Sequence, residues 1–265
     1  MSSPVRLDDV TAGYGGRPLW SDLSLDVQPG EFVAVLGGNG SGKTTLLRLI
    51  LGQLRPLSGS VEVLGGPARR GNHDIGYVPQ QRRFDPDLPL RGFDLVRLGL
   101  DGHRWGVGRL SRDTRRRITD AVDAVGAGEY ADHPVGRVSG GEQQRLRIAQ
   151  ALVADPVLLL ADEPLLSLDL ASQQQVTAVL DTRRRSAGTA VVVVTHEINP
   201  VLPYADRVLY LADGGWAAGT PDEVMTTETL SRLYRTQVDV LRVRDRVVIV
   251  GAPDAAHHPD PAVRP

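Results

Sequence analysis

Phe32-Val33-Ala34-Val35-Leu36 runs into Gly37-Gly38-Asn39-Gly40-Ser41-Gly42-Lys43-Thr44-Thr45 and then into Leu46-Leu47-Arg48-Leu49-Ile50, and this stretch decides the fold. An apolar run of strand length, a loop of the form G-x-x-x-x-G-K-[ST] and a helical apolar pattern follow one another without a break. That is the context a phosphate-binding loop requires. In such a loop successive backbone N–H groups and the helix N-terminus face phosphate oxygens, glycines permit the wrap, and the Thr44 hydroxyl is placed to hold Mg²⁺. Lys43 is the only lysine of the chain; the other 29 of its 30 basic side chains are arginine. A GC-rich coding bias explains the arginines but not the surviving lysine. A compact ammonium on a flexible stem is needed here, where the planar arginine fork does not fit. The pattern points to a nucleoside triphosphate.

With 265 residues, 41% hydrophobic and 23% charged, the chain can bury one sizeable core, or a core with a smaller lobe. Its net charge of -2 supplies no field towards nucleic acid or an anionic membrane, and no nucleic-acid partner is expected. There is no cysteine, which excludes disulfides, thiolate metal sites and thiol catalysis within the chain. The N-terminal residues show no signal-peptide pattern, and the longest apolar runs, such as Ala190 to Val194, have strand length. Membrane association is therefore expected through a partner.

Strands are expected at Val5 to Val10, Leu23 to Val27, Phe32 to Leu36, Val61 to Leu64, Val157 to Ala161, Ala190 to Val194 and Val208 to Leu211. Helices are expected at Lys43 to Leu51, Gly141 to Ala154 and Leu170 to Arg185. This alternation reads as α/β, a mostly parallel sheet flanked by helices. The proline- and glycine-bearing region from about Gln81 to Ser139, with a polar helical run at Thr114 to Val125, reads as a helical insertion. One short helix is expected over Asp222 to Tyr234, a β-hairpin turning at Arg244-Asp245, and a frayed tail from Ala252.

Three further groups carry chemistry. The apolar strand Val157 to Ala161 ends in Asp162-Glu163, at the carboxyl end where open α/β sheets bind ligands. Asp162 is placed to hold Mg²⁺ through water, and Glu163 to activate a water as general base. A second strand ends in His196. Ser139-Gly140-Gly141-Glu142 opens another helix, a second anion cradle without a lysine. Two cradles for one nucleotide point to a composite site, in which one protomer completes the other.

Together these residues resemble the nucleotide-binding subunit of ATP-binding cassette transporters over about residues 5 to 235. Tyr14 matches the adenine-stacking aromatic, Gly37 to Thr45 the phosphate loop, and Gln80 in Tyr77-Val78-Pro79-Gln80 the glutamine loop. Ser139-Gly140-Gly141-Glu142-Gln143 matches the signature, Asp162-Glu163-Pro164 the acidic strand end, Ser167-Leu168-Asp169 the loop after it, and His196 the switch histidine. The resemblance implies a P-loop NTPase core with an N-terminal antiparallel β subdomain and a helical subdomain at about 81–154, within a nucleotide-binding domain of 1–235. A hairpin extension at 236–251 and a tail at 252–265 follow.

It also implies ATP and Mg²⁺ as ligands and a head-to-tail dimer closing on two ATP, each held between the Lys43 loop of one copy and Ser139-Gly140-Gly141 of the other. Gln80 would sense Mg²⁺ and the γ-phosphate, His196 would orient water, and Asp169 would communicate across the dimer. Permease subunits would dock near Gln80 and the helical subdomain, at the cytoplasmic face of the membrane, with an extracytoplasmic substrate-binding protein acting indirectly. Val138 and Glu142 depart from the usual Leu and Gln, and Leu165-Leu166 from a more polar turn. The run Ile75 to Leu90 is similar to the subfamily serving manganese, zinc and iron importers; other cargo such as a siderophore, or a soluble non-transport ATPase, are the alternatives. Arg115 to Arg117 and Arg183 to Arg185 read as solvated helix faces, and His257-His258 as part of the tail.

Overall fold

The computed structural model describes residues 3–80, 83–102, 110–166 and 168–251. Of the residues singled out in the sequence, Gln81, Ser167, His257 and His258 lie outside these, as does the tail from Ala252 on.

The chain begins with β1 (Val5–Tyr14), β2 (Arg17–Val27), β3 (Phe32–Gly37), α1 (Lys43–Ile50), β4 (Ser58–Val63), β5 (Gly66–Pro67) and β6 (Ile75–Val78). Helices α2 (Gly92–Asp101), α3 (Arg112–Ala124) and α4 (Gly140–Leu152) follow, then β7 (Leu158–Asp162), α5 (Leu170–Ala187) and β8 (Ala190–Val194). Last come β9 (Arg207–Ala212), β10 (Gly215–Gly219), α6 (Pro221–Val224), α7 (Thr227–Tyr234), β11 (Asp239–Val243) and β12 (Arg246–Val250). They divide into two compact units. One holds 27–33 and 71–195 with the start of the chain, the other 5–26, 34–70 and the residues from 196 on.

In the first unit β6, β7 and β8 pair in parallel, with Val78 opposite Ala161 and Asp162 opposite Val194. Every residue of β7 and β8 is buried, as strands covered on both faces must be; β8 is apolar throughout, and β7 is apolar up to its last residue, Asp162. This register aligns the carboxyl ends, so Gln80 and Glu163 emerge from the same end of the sheet. Helix α3 shows the opposite pattern, burying only Ile118 and Val122, and Arg115 and Arg116 lie on its exposed side as expected, whereas on α5 Arg184 is not a solvated residue but is mostly buried, donating to Asp181 at 2.6 Å.

In the second unit β2, β1, β4 and β5 form an antiparallel sheet, β1 pairing β4 from Val5 opposite Val63 to Thr11 opposite Ser58. Strands β9 and β10 make a hairpin across Asp213-Gly214, whose φ angles of 44° and 81° suit a tight two-residue turn. The single helix expected over 222–234 is two. Met225 ends the first, and Thr226, in extended conformation, caps the second by accepting from Thr229 N. A threonine hydroxyl offers the backbone a new start, and the chain turns there. The terminal hairpin β11–β12 turns at Arg244-Asp245 as expected, Val243 facing Arg246.

Candidate functional site

The phosphate loop lies in the second unit. Gly42 is the N-cap of α1, in left-handed conformation with φ 95°, and no side chain caps the helix. A Cβ on Gly42 would come within 2.5 Å of Trp20 Nε1, and one on Gly37, at φ 145°, within 2.2 Å of Leu211 O. Both positions therefore require glycine. Lys43 is buried, and its ammonium donates to the carbonyls of Gly37 and Gly38, both at 2.8 Å. The Ser41 hydroxyl is buried with no hydrogen-bond partner among the described residues. A loop with an unpartnered buried hydroxyl, an uncapped helix start and an ammonium held over it fits phosphate oxygens.

Tyr14 stands half exposed near this loop's helix. Its hydroxyl lies 3.4 Å from Thr45 Oγ1 and accepts from Arg48 Nη1 at 3.1 Å. The Thr45 contact and the Arg48 guanidinium hold the phenol below its ordinary range, against the opposing effect of burial. Its exposed ring suits stacking against a base. His196, also in this unit, is exposed, two residues beyond the end of β8.

The acidic strand end lies in the first unit. Asp162 and Glu163 are both buried, and Glu163 N donates to Val194 O at 2.9 Å. Glu163 has φ 49°, the left-handed region that a β-carbon disfavours. Strain of this kind collects where a side chain must be aimed, and here it falls on the proposed general base. Gln80 is exposed beyond β6.

The signature segment opens α4 in the same unit. Ser139 Oγ accepts from Glu142 N at 3.3 Å, and the Glu142 carboxylate accepts from Ser139 N at 2.7 Å, closing a capping box. Asp169 caps α5, accepting from Ser172 N at 2.9 Å and from the Ser172 hydroxyl at 2.8 Å. These bonds hold its carboxyl below the usual carboxylate range. A cavity of about 500 Å³ is lined by Ser139, Gly140, Gly141 and Asp169 together with Arg83 and Arg145. Two candidates far apart in sequence, the signature and the loop aspartate, thus share one polar cavity carrying two guanidinium groups.

Sequence reasoning missed the side chains that hold this arrangement. The Gln143 amide accepts from Phe84 N at 3.2 Å and donates to Val138 O at 3.2 Å, tying the segment after Gln80 to the residue before Ser139. Arg147 lies over the Phe84 ring at 4.3 Å. Arg145 donates to Tyr130 Oη at 2.7 Å and to Ser172 Oγ at 3.3 Å, reaching the cap of Asp169. The signal available was Gln143, Gln144 and Arg147 on a helix whose other buried positions are apolar, where a buried polar side chain needs a partner.

An ABC transporter family model matches residues 20–166. The zinc transport system ATP-binding protein TroB of Treponema pallidum is 36% identical over 230 residues, covering 87% of this chain and 86% of that protein. Among solved structures, an inward-facing putative metal-chelate type ABC transporter superposes with a TM-score of 0.78 at 28% identity, covering 94% of this chain and 96% of the other. A dimeric ATP-binding cassette in a post-hydrolysis state, bound to ADP and Pi, gives 0.69 at 30% identity over 82% and 98%. With the phosphate loop, the acidic strand end and the capped signature helix in place, the chain belongs to the ABC transporter family.

Proposed function

We propose that this chain is the ATP-hydrolysing subunit of a membrane importer for divalent metal ions, zinc or manganese foremost, working as an ATP-closed dimer at the cytoplasmic face of its permease. The observation that carries the reading is the pair of anion cradles in one chain, an uncapped loop with the sole lysine and a capped Ser-Gly-Gly helix over a cavity with Asp169. TroB, named for zinc transport, and the metal-chelate type transporter support the choice of cargo. No helix among the described residues is long and apolar enough to cross a membrane, consistent with attachment through a partner.

In this reading Lys43 and the Gly37 to Thr45 loop bind the β- and γ-phosphates, and Tyr14 receives the base. Ser139, Gly140 and Gly141 of a second copy complete the phosphate site. Glu163 takes a proton from the attacking water, which His196 orients. The donor set of Thr44 hydroxyl, Gln80 amide oxygen and Asp162 carboxylate is all oxygen, which suits Mg²⁺. That ion, when bound, neutralises charge on the phosphates. Gln80, near the segment that Gln143 ties to the signature, links nucleotide state to the permease-facing helical region.

The test is reconstitution in vesicles with a candidate multi-spanning permease from the same cell. ATP-dependent uptake of Zn²⁺ or Mn²⁺ into vesicles is expected, lost with Glu163→Gln while ATP binding remains. General-base removal lowers turnover by about 10²–10⁴-fold. Uptake of an iron–siderophore chelate but of neither free ion would move the cargo, and an unchanged ATPase rate in Glu163→Gln would remove that residue from its role.

A further inference from the structure

The terminal hairpin has two unlike faces. Antiparallel pairing places Asp239 opposite Val250, Leu241 opposite Val248 and Val243 opposite Arg246, and paired residues project to the same side. The alternate set, Val240, Arg242, Val247 and Ile249, makes the other face. Val247 on that face is buried, and its backbone N–H and carbonyl are both bound by the Asn199 amide, at 2.8 and 3.0 Å. The other strand is held too, Val240 N donating to Thr227 Oγ1 at 2.9 Å and Arg242 pairing with Asp222 at 2.7 Å, so the side chains among these anchors belong to this second face. On its open side Leu241, Val243, Val248 and Val250 are 51%, 57%, 43% and 48% exposed, four large aliphatic side chains in one patch. Polar residues are the rule on the solvent side of an antiparallel pair.

The charges at the margins of this patch identify what covers it. Asp239 and Arg246 are both exposed and occupy diagonally opposite corners of the same face. Two copies of the face related by a two-fold axis lying in the contact plane bring Asp239 of each over Arg246 of the other. Twisted sheets pack face to face with strands crossing near 30°, which accommodates this diagonal match. The face is self-complementary, apolar in the centre and acid-to-base at its ends, the pattern of an isologous contact.

We propose that two copies of this chain pair through the outer faces of their β11–β12 hairpins, in a contact that needs no nucleotide. The patch spans two strands of five residues, roughly 17 Å by 5–10 Å. That is well below the ~800 Å² per partner of a stable interface. The contact is weak alone, so high protein concentration is what populates it.

The chain has no cysteine, so Val248→Cys supplies one thiol per copy. Facing sheets sit about 10 Å apart, too far for a disulfide, and a short bismaleimide is the suitable probe. In nucleotide-free full-length protein at high concentration, Val248→Cys is expected to cross-link into dimers several-fold faster than the exposed control Arg115→Cys. Asp239→Arg in that background should remove the advantage, and Asp239→Arg with Arg246→Asp should restore it. Cross-linking no faster than the control, or insensitive to Asp239→Arg, would overturn the proposal and leave the face to another occupant. Loss of the ATP-closed dimer would not affect this result, so the two readings fail separately.

Discussion

Two glycine-bearing helix starts in this chain look alike in sequence and differ in how they are closed. At α1 the N-cap is Gly42, no side chain caps the helix and no acid lies in its first turn. At α4 the N-cap is Ser139, and Glu142 returns to close the box. The first helix start has its positive end open, with the only lysine beside it, which a nucleotide phosphate would complete in the proposed function. The second carries an anion of its own. In the proposed dimer, a phosphate reaching the second cradle would meet the Glu142 carboxylate already on Ser139 N.

The difference is broken most severely at the open end. Lys43→Ala removes a charged donor with no substitute nearby, and a charged hydrogen bond is worth about 1.5–3 kcal/mol. ATP affinity measured by calorimetry is expected to fall roughly 10–100-fold, from the same energy; unaltered affinity would mean that the loop grips by backbone alone.

Ser139→Ala acts on the closed end. Loss of an N-cap costs about 1 kcal/mol, so the melting temperature should fall by about 2–4 °C for a chain of this size. Single-copy ATP affinity should be unchanged, while ATP-driven dimerisation weakens by about tenfold, the loss of one hydrogen bond to a charged group. A variant that dimerises normally in analytical ultracentrifugation would place the partner cradle elsewhere.

Glu142→Gln sharpens the contrast from the other direction. The amide still reaches Ser139 N but carries no charge, so the helix start stops competing with an arriving phosphate. The ATP concentration needed for dimerisation is expected to drop a few-fold, with a stability loss of about 0.3–1 kcal/mol from the helix dipole. A higher requirement would show that Glu142 assists binding.

The smallest effect concerns Asp169. Its carboxyl titrates below the unfolded aspartate value because Ser172 N and Oγ donate to it. A depressed folded pKa means the contribution is present above the unfolded pKa, about 3.9, and is lost as pH falls through the folded value. Asp169→Asn should therefore narrow its stability gap to the parent in melts taken at progressively lower pH below about 4. A gap independent of pH would show that the cap works as well protonated.

What the sequence made legible was whatever burial or bonding wrote into residue type. Ala190 to Val194 was read to the residue because a strand covered on both faces must be apolar throughout. The phosphate loop was legible because Gly37 and Gly42 have no tolerated alternative. Strand β10, Gly215–Gly219, was missed because glycine and alanine flank its tryptophan, and its pairing with β9 comes from the Asp213-Gly214 turn rather than propensity. Helix α2 was hidden by Gly92 and Gly99. The Gln143 bridge was invisible because its two partners, Phe84 and Val138, offer backbone groups, which any residue supplies.

The buried Lys43 ammonium, held by two carbonyls of its own loop, turns the chain into a one-cut proteolytic clock. A lysine-specific endopeptidase has a single bond to hydrolyse, Lys43–Thr44, because no other lysine exists. That bond lies at the start of α1, so cutting requires the loop and first turn to open. When opening is fast relative to cleavage, the rate of appearance of fragments 1–43 and 44–265 reports the open population directly. The change in that rate with ATP measures how much the nucleotide stabilises this one loop, with no label and no engineered site.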